Sequence, residues 1–374
     1  MLNQKHISSP TLLALAAILL IGGLVYYFYY DFSARDEGLL ADYQNASSLY
    51  FEGEDGAIVA LEDILSQEPS KDLEGSIRVT LAFAYMEKDV AKGIWMLKEV
   101  AADATLEPKQ RADAIVKMAD IIMLTSRPGG GELVEEIFSG DPYETFRESK
   151  TQPADSNILT AVRRLYGYAS TIHVLPISEY RSAEWYALRV MNSRLDKNFK
   201  LDNPEDELIL KSESHLLAAN DAFEEYQPNG SRTELGYAKW VKGVTLGILS
   251  EIDDMPSLRE DAKKAFKDSL ALLNESSDRN VSYVESNKLW GSFYYAAFLS
   301  RAYGISQETE IKALLAGISS LKDGDRPGLV RYLERLGETP APGGMRAYDY
   351  QSAIALAKID SKFAQFLKDL GWEI

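Results

Sequence analysis

Apolar residues recur at three- and four-residue steps along most of this chain after residue 36. Leu39, Tyr43, Ala46 and Tyr50 form the first series. Further series cover Ile58–Leu65, Ile77–Tyr85, Ile94–Val100 and Ile115–Ile122. Steps of this size match the 3.6-residue period of an amphipathic helix. Alternating apolar and polar runs with Asn-Gly or Asp-Gly turns between them do not occur, so β-hairpins are disfavoured. The pattern predicts an all-α fold.

Several helix starts can be read from capping residues. Ser257 with Glu260, and Ser282 with Glu285, have the spacing of a capping box. Residues 202–207, with the sequence DNPEDE, combine a cap residue, a proline near the first helical position and acids in the first turn. These signals predict helices beginning near residues 205, 258 and 283.

The longest apolar run is different in kind, because it has no polar face. Residues 11–30 read TLLALAAILLIGGLVYYFYY. Twenty residues at about 1.5 Å each cover a hydrocarbon core of about 30 Å, so the run predicts one transmembrane helix. Lys5 precedes it, and Asp31 and Asp36 follow it. Since positive flanks stay cytoplasmic, we expect the N-terminus inside and the bulk of the chain outside the plasma or inner membrane.

A cleaved signal peptide is the alternative explanation of this run. The apolar core of a signal peptide usually has about 7–15 residues and ends at a small-x-small site. Here the run is longer, and it ends in the five aromatic residues 26–30, as interfacial belts do. Cleavage after Ala34 would place the bulky Phe32 at position −3. These features favour an uncleaved signal anchor.

Short helices that follow one another in pairs indicate an α-solenoid. The residues here resemble the tetratricopeptide-repeat (TPR) family. Its second helix has a small residue, a bulky one four later, a small or aliphatic one three later, and a closing proline. Ala57, Leu61, Ile64 and Pro69 match this series. The interval from Pro69 to Pro108 is 39 residues rather than the family's 34, so the repeats are degenerate.

A second match lies in the C-terminal half. Ala262, Phe266 and Ser269 follow the same series, with Asn274 at the position of the proline. Three residues of the preceding helix resemble a displaced form of the family's first-helix signature: Trp240, Gly243 and Gly247. The resemblance covers residues 36–126 and, more weakly, 204–321. It implies a right-handed α-solenoid of helical hairpins, and by analogy with membrane-anchored TPR proteins a role in assembling cell-envelope machines or assisting secreted chains.

Loop-rich stretches divide the chain into predicted segments. They are a cytoplasmic tail (1–10), the transmembrane helix (11–30), an N-terminal TPR-like block (31–148), a polar linker (149–156), a second helical-repeat block (157–321), a loop-rich segment (322–346) and C-terminal capping helices (347–374). Within the loop-rich segment we expect a short helix near Leu329–Leu336. The final helices would protect the open end of the array.

Charge and cysteine content restrict the function. Residues 31–374 carry 39 basic and 57 acidic side chains, a net charge of −18. Such a surface repels nucleic acid and anionic headgroups, so we expect no nucleic-acid partner and no membrane contact besides the single span. The chain has no cysteine, which excludes disulfides, thiol nucleophiles and thiolate metal sites.

The sequence contains few histidines and none of the common catalytic motifs considered below. His173 lies at a predicted helix end, and His215 follows Glu213 at a spacing that puts the two on different faces. HExxH, GxSxG and P-loop motifs do not occur. We therefore predict no enzyme activity, no cofactor and no metal. An enzyme would need carboxylates such as Glu179, Glu184 and Asp221 to converge in a closed pocket.

Aromatic clusters with nearby arginines are the candidate ligand site. The candidate groove comprises Tyr166, Tyr168, Tyr180, Trp185, Tyr186, Tyr294, Tyr295, Arg163 and Arg181. Tyrosine and tryptophan combine contact area with a hydrogen-bonding tip. The main prediction is a membrane-anchored scaffold that binds other proteins. The alternative is an extracytoplasmic glycan- or peptide-binding domain, which requires these rings to share one exposed concave surface; rings packed between helices would be ordinary core.

Overall fold

The computed structural model describes residues 36–125, 136–146, 154–227, 231–277, 281–321, 328–338 and 347–374, apart from the single positions 51, 53, 55, 87 and 202. Helices and their connections make up all of these residues, and no strand occurs among them. The all-α prediction is therefore confirmed for this part of the chain.

The helices follow in chain order. They are α1 (36–50), α2 (Ala57–Ser66), α3 (Lys71–Met86), α4 (Val90–Ala102), α5 (Pro108–Thr125), α6 (Ala154–Ile172), α7 (Pro176–Leu195), α8 (Glu205–Tyr226), α9 (Arg232–Ile252), α10 (Pro256–Asn274), α11 (Val281–Tyr303), α12 (Glu308–Ser319), α13 (Gly328–Gly337), α14 (Ala347–Ile359) and α15 (Ser361–Asp369), with 3₁₀ turns at Tyr143–Phe146 and Gly304–Gln307. The short helix expected near Leu329–Leu336 and the final helix pair are both present.

Helices that are neighbours in sequence pack as hairpins. The hairpins are α3–α4, α5–α6, α7–α8, α9–α10, α11–α12 and α14–α15. A second set of contacts joins the first helices of successive hairpins, because α7 packs on α9 and α9 packs on α11. Helix α14 then packs on both α11 and α7. The first helices of four hairpins thus surround a common centre, with their partner helices outside them.

Small residues on α9 receive large residues of α10. A Cβ placed on Gly243 would lie 2.9 Å from Cγ of Phe266, so only glycine allows this close approach. Ser269 donates a hydrogen bond of 2.7 Å from its hydroxyl to the carbonyl of Gly236. Ala262, Phe266 and Ser269 are all buried. The small-bulky-small series read from the sequence therefore marks the contact between two paired helices.

The hydrophobic core continues through most of the fold. One set of contacting buried residues runs from Ala82 to Trp372. A smaller set, between Leu39 and Ala84, joins α1, α2 and α3, and Met96 packs against both. Most of the predicted linker 149–156 lies outside the described residues, so the division into two blocks stays a prediction.

Two of the predicted capping residues are wrong, although both helices begin within two residues of the predicted positions. Pro256 occupies the first turn of α10 and Met255 its N-cap, so Ser257 already lies inside the helix. Helix α11 begins at Val281, which places Ser282 inside it as well. A capping box does occur at Ser231, whose hydroxyl accepts from the Glu234 amide at 3.2 Å. The predicted start near residue 205 is confirmed.

The predicted transmembrane helix, residues 11–30, lies outside the described residues. Among the helices that are described, none is both long enough and apolar enough to span a bilayer.

Candidate functional site

The candidate groove residues lie mostly inside the protein. Seven of them expose 6% or less of their surface: Tyr166, Tyr180, Trp185, Tyr186, Tyr294, Tyr295 and Arg181. Tyr168 and Arg163 are half-buried. These side chains therefore do not line an exposed groove, and the condition set for a glycan or peptide site on them is not met. Helical periodicity places a ring on an apolar face without telling whether another helix covers that face.

Arg181 on α7 is the centre of a buried polar cluster. Its guanidinium donates to Oε2 of Glu184 at 2.5 Å and lies 3.3 Å from Oδ1 of Asp120 on α5. Its Nε and Nη2 both donate to the hydroxyl of Tyr237 on α9 at 3.1 Å. The guanidinium carbon also lies 4.8 Å from the ring centre of Trp240, a cation–π distance. One arginine thus joins three helices.

Asp120 receives further hydrogen bonds from two tyrosines. Tyr166 on α6 donates to Oδ1 at 2.7 Å, and Tyr237 donates to Oδ2. With Arg181 beside it, this carboxylate has a donor on each oxygen. Buried charges persist when they are paired and hydrogen-bonded, and the cluster meets both conditions.

Electrostatics keep the arginine charged. Burial alone would lower the pKa of Arg181, but Glu184, Tyr237 and Asp120 together raise that pKa well above its ordinary value. Burial raises the pKa of Glu184, an effect that Arg181 opposes. Because guanidinium does not deprotonate in proteins, the cluster has no proton to exchange at this position. Arg181 therefore stays a cation beside the buried carboxylates of Glu184 and Asp120.

Lys117 extends the cluster towards α11. Its ammonium donates to the hydroxyl of Tyr283 at 2.9 Å and lies 3.6 Å from Asp113. The same nitrogen lies 4.2 Å from the ring centre of Tyr283. Burial lowers the pKa of Lys117, but Asp113, Tyr237 and Asp120 outweigh burial and raise it. Lys117 thus links α5 to Tyr283 on α11 through a hydrogen bond.

A series of contacting rings runs through the same centre. Tyr237 lies 5.3 Å from Trp240, Trp240 5.5 Å from Tyr294, Tyr294 5.8 Å from Trp290, and Trp290 5.2 Å from Tyr332, between ring centres. All five rings are buried. Each such contact stabilises by about 0.5–1.5 kcal/mol beyond the burial of its area. These buried rings form part of the hydrophobic core between α9, α11 and α13.

The carboxylates that an enzyme would need do not share a pocket. Glu179 on α7 bonds Nδ1 of His215 on α8 at 2.8 Å, whereas Glu184 is buried against Arg181 and Asp221 is exposed. Within the described residues, no group of three His, Asp or Glu side chains has an arrangement that would hold a metal ion. Sequence reasoning missed the Glu179–His215 pair because its members lie on different helices, 36 residues apart.

A second candidate surface lies on the outer side of α8. We call it the outer face of α8 and define it by Asp206, Leu210, Glu213, Leu217, Asp221 and Glu224. These residues follow at steps of three and four, so they lie on one side of the helix. Leu210 and Leu217 are exposed by 64% and 67%. The buried residues of α8, including Leu208, Ala219 and Phe223, point to α7 on the other side.

Every charged residue of the outer face is acidic. The lysine and the histidine of α8 have partners of their own: Lys211 pairs with Glu207 at 2.5 Å, and His215 contacts Glu179. The face therefore combines two exposed leucines with four acidic side chains, of which Glu224 is near enough to Lys242 of α9 to interact with its charge. The seven-residue step between the leucines is visible in the sequence. The sequence does not show which side of α8 is covered, because apolar residues such as Ile209 and Leu216 lie next to the exposed leucines.

No protein-family model, no curated protein sequence and no solved structure matches this chain.

Proposed function

We propose that this protein is a membrane-anchored scaffold that binds other proteins through the outer face of α8. In this proposal the hairpins are TPR-like, although the contact of α14 with α7 departs from an open right-handed solenoid. Residues 11–30 anchor the protein, with the helical part outside the plasma or inner membrane. The protein would serve envelope assembly or secretion, without catalysis and without a cofactor.

The exposed leucines of α8 are the observation that carries this proposal. Leaving a large apolar side chain in water costs about 1.5–3 kcal/mol relative to burying it. Single exposed leucines are common on protein surfaces, but Leu210 and Leu217 share one side of one helix. Exposed apolar positions that are grouped and rimmed by polar residues are typical of protein-binding surfaces.

The distribution of reactive side chains supports binding over catalysis. The buried ionisable groups around Arg181 satisfy one another through hydrogen bonds and ion pairs. The predicted anchor adds to the binding argument, because tethering a surface beside its membrane partners raises their effective concentration. The glycan- or peptide-binding alternative requires exposed rings, whereas most of these rings are buried.

Site-specific crosslinking in native membranes tests this proposal. A photoreactive amino acid would replace Leu217, and in a matched control it would replace Val59 on α2, which is exposed by 68%. We expect a discrete protein adduct from position 217 that is not formed from position 59. Leu210→Ser should then weaken the adduct at position 217. Identical adducts from both positions, or none from position 217, would contradict the proposal.

A further inference from the structure

We infer that the outer face of α8 binds a basic amphipathic helix of a partner protein, aligned along α8. This inference rests on the proposed function and specifies the chemistry of the partner.

The two leucines set the apolar requirement. Leu210 and Leu217 are two helical turns apart, or about 10.5 Å at 1.5 Å per residue. A partner helix with apolar residues at the same seven-residue interval would place one against each leucine. Both leucines protrude from the helix, so an apolar stripe of this kind fits them better than a flat polar surface does.

The acidic rim sets the charge requirement. Glu213 lies between the leucines along the helix, Asp206 precedes them, and Asp221 and Glu224 follow them. Lysine or arginine beside the apolar stripe of the partner would meet these carboxylates. A nucleic acid or an anionic membrane would be repelled by them. A second copy of this chain is disfavoured too, because its own α8 would bring the same charges to the contact.

The size of the surface predicts a weak and salt-sensitive complex. Helix α8 has 22 residues, which corresponds to about 33 Å. One helix lying along it buries less than the roughly 1,200 Å² of a stable standard interface. Exposed charge pairs are screened at physiological salt, where the Debye length is about 8 Å. We expect a micromolar dissociation constant that rises with ionic strength.

The cysteine-free sequence allows a local binding assay. Ser214→Cys, beside the outer face, would carry an environment-sensitive dye as the only thiol of the full chain. The chain would be held in phosphatidylcholine nanodiscs, with empty nanodiscs as the baseline. The probe is a synthetic 18-residue amphipathic helical peptide of leucine and lysine. A peptide with glutamate in place of each lysine is the charge control.

Matched variants separate the apolar contribution from the charge contribution. The apolar variant combines Leu210→Ser with Leu217→Ser. The acidic variant combines Glu213→Gln, Asp221→Asn and Glu224→Gln. A control variant, Glu37→Gln with Asp42→Asn and Glu99→Gln, removes three exposed acids from α1 and α4.

We expect the lysine peptide to bind and the glutamate peptide not to bind. Binding should weaken at least tenfold in the apolar variant and at least tenfold in the acidic variant, and change less than twofold in the control variant. The acidic variant should also lose most of the salt dependence. All substituted residues are exposed, so unchanged circular dichroism should accompany these effects.

Other results would overturn the inference. Equal weakening in the acidic and control variants would mean general charge attraction rather than a site on α8. An unchanged acidic variant, with binding lost in the apolar variant, would mean an uncharged apolar partner. In that case the adduct at position 217 would still support the scaffold function. Absence of both the adduct and peptide binding would reject both.

Discussion

Arg181 and Glu184 form an ion pair one turn apart on α7, with 2.5 Å between Nη1 and Oε2 and side chains exposed by only 3% and 2%. A buried pair of this kind adds little net stability over well-packed apolar residues, because each charge loses its hydration. Removal of one partner is costly, since the other charge remains buried without compensation. The pair therefore makes the central packing depend on one side chain.

Arg181→Met should lower the free energy of unfolding by about 3–5 kcal/mol, because Glu184 and Asp120 lose their shared cation. Urea-induced unfolding followed by circular dichroism measures the loss. Arg232→Met is the matched control, since Arg232 pairs with Glu275 on the surface and such pairs contribute about 0–1 kcal/mol. Similar losses in the two variants would contradict the central role of Arg181.

Tyr237→Phe should lower the free energy of unfolding by about 1–3 kcal/mol. The hydroxyl accepts from two nitrogens of Arg181 and donates to Asp120, so its removal leaves buried charged groups short of a partner. Tyr303→Phe removes a hydroxyl that donates to Glu260 at the surface, and should cost much less. Thermal or urea unfolding of both variants measures the loss in the free energy of unfolding. A smaller loss for Tyr237→Phe than for Tyr303→Phe would refute the prediction.

Gly243→Ala should destabilise the protein by about 1–3 kcal/mol, because the new methyl group would overlap the ring of Phe266. Gly291→Ala is the matched control on α11, where a Cβ would lie 3.6 Å from Leu270 and Trp240, an ordinary contact. There the higher helix propensity of alanine should stabilise by up to about 1 kcal/mol. The unfolding midpoints should therefore move in opposite directions, and equal shifts would show that Phe266 does not fill the space beside Gly243.

Glu234→Gln should weaken the pH dependence of stability. Burial opposes the charge on Glu234, but Lys109 at 2.9 Å, Tyr226 and the Ser231 amide together hold the pKa below its usual value. Stability from this carboxylate is therefore present above the unfolded pKa of about 4.3 and is lost as the pH falls through the folded value. Glutamine can still serve the capping box, so the substitution mainly removes charge.

The difference in the free energy of unfolding between the native protein and Glu234→Gln should shrink as the pH is lowered from about 7 to about 2. Glu308→Gln, at an exposed pair with Lys312, should change stability by less than about 0.5 kcal/mol throughout. A difference at Glu234 that stays constant with pH would show that its charge has no part in stability.

The predicted orientation has its own test. A protease added outside intact cells, or to the outer side of the inner membrane, should digest the helical part after residue 36, because the positive flank of residues 11–30 favours an inside N-terminus. Immunoblotting against a C-terminal tag measures the loss. Protection of the tag, with digestion after the membrane is made permeable, would place the helical part on the cytoplasmic side.

Local features of this fold could be predicted from sequence, whereas distant contacts could not. The interval from Leu329 to Leu336 was correctly predicted as a short helix, because apolar period and flanking glycine and proline act within a few residues. Ala262, Phe266 and Ser269 also marked a true helix contact. The spacing of Ser257 to Glu260 predicts a cap at Ser257, but Pro256 already occupies the first turn.

The role of Arg181 could not be read from its neighbours in sequence. The sequence places it in a candidate ligand groove with Tyr180 and Trp185, whereas its partners include Asp120 on α5 and, 56 residues away, Tyr237 on α9. Periodicity indicates which residues share a face but not which helix covers it. The exposure of Leu210 and Leu217 was missed for the same reason.

The return of α14 to α7 also affects how this protein folds. The Tyr348 amide donates to Oδ1 of Asn192 at 2.8 Å across 156 residues of chain, and α14 contacts α11 as well. In an open array each hairpin touches only its neighbours, so end hairpins can fray while the middle stays folded. Here an end hairpin is also held by the middle of the chain. We expect the central hairpins to unfold in one sharp transition, and folding to be slow because the closing contact joins residues far apart in sequence.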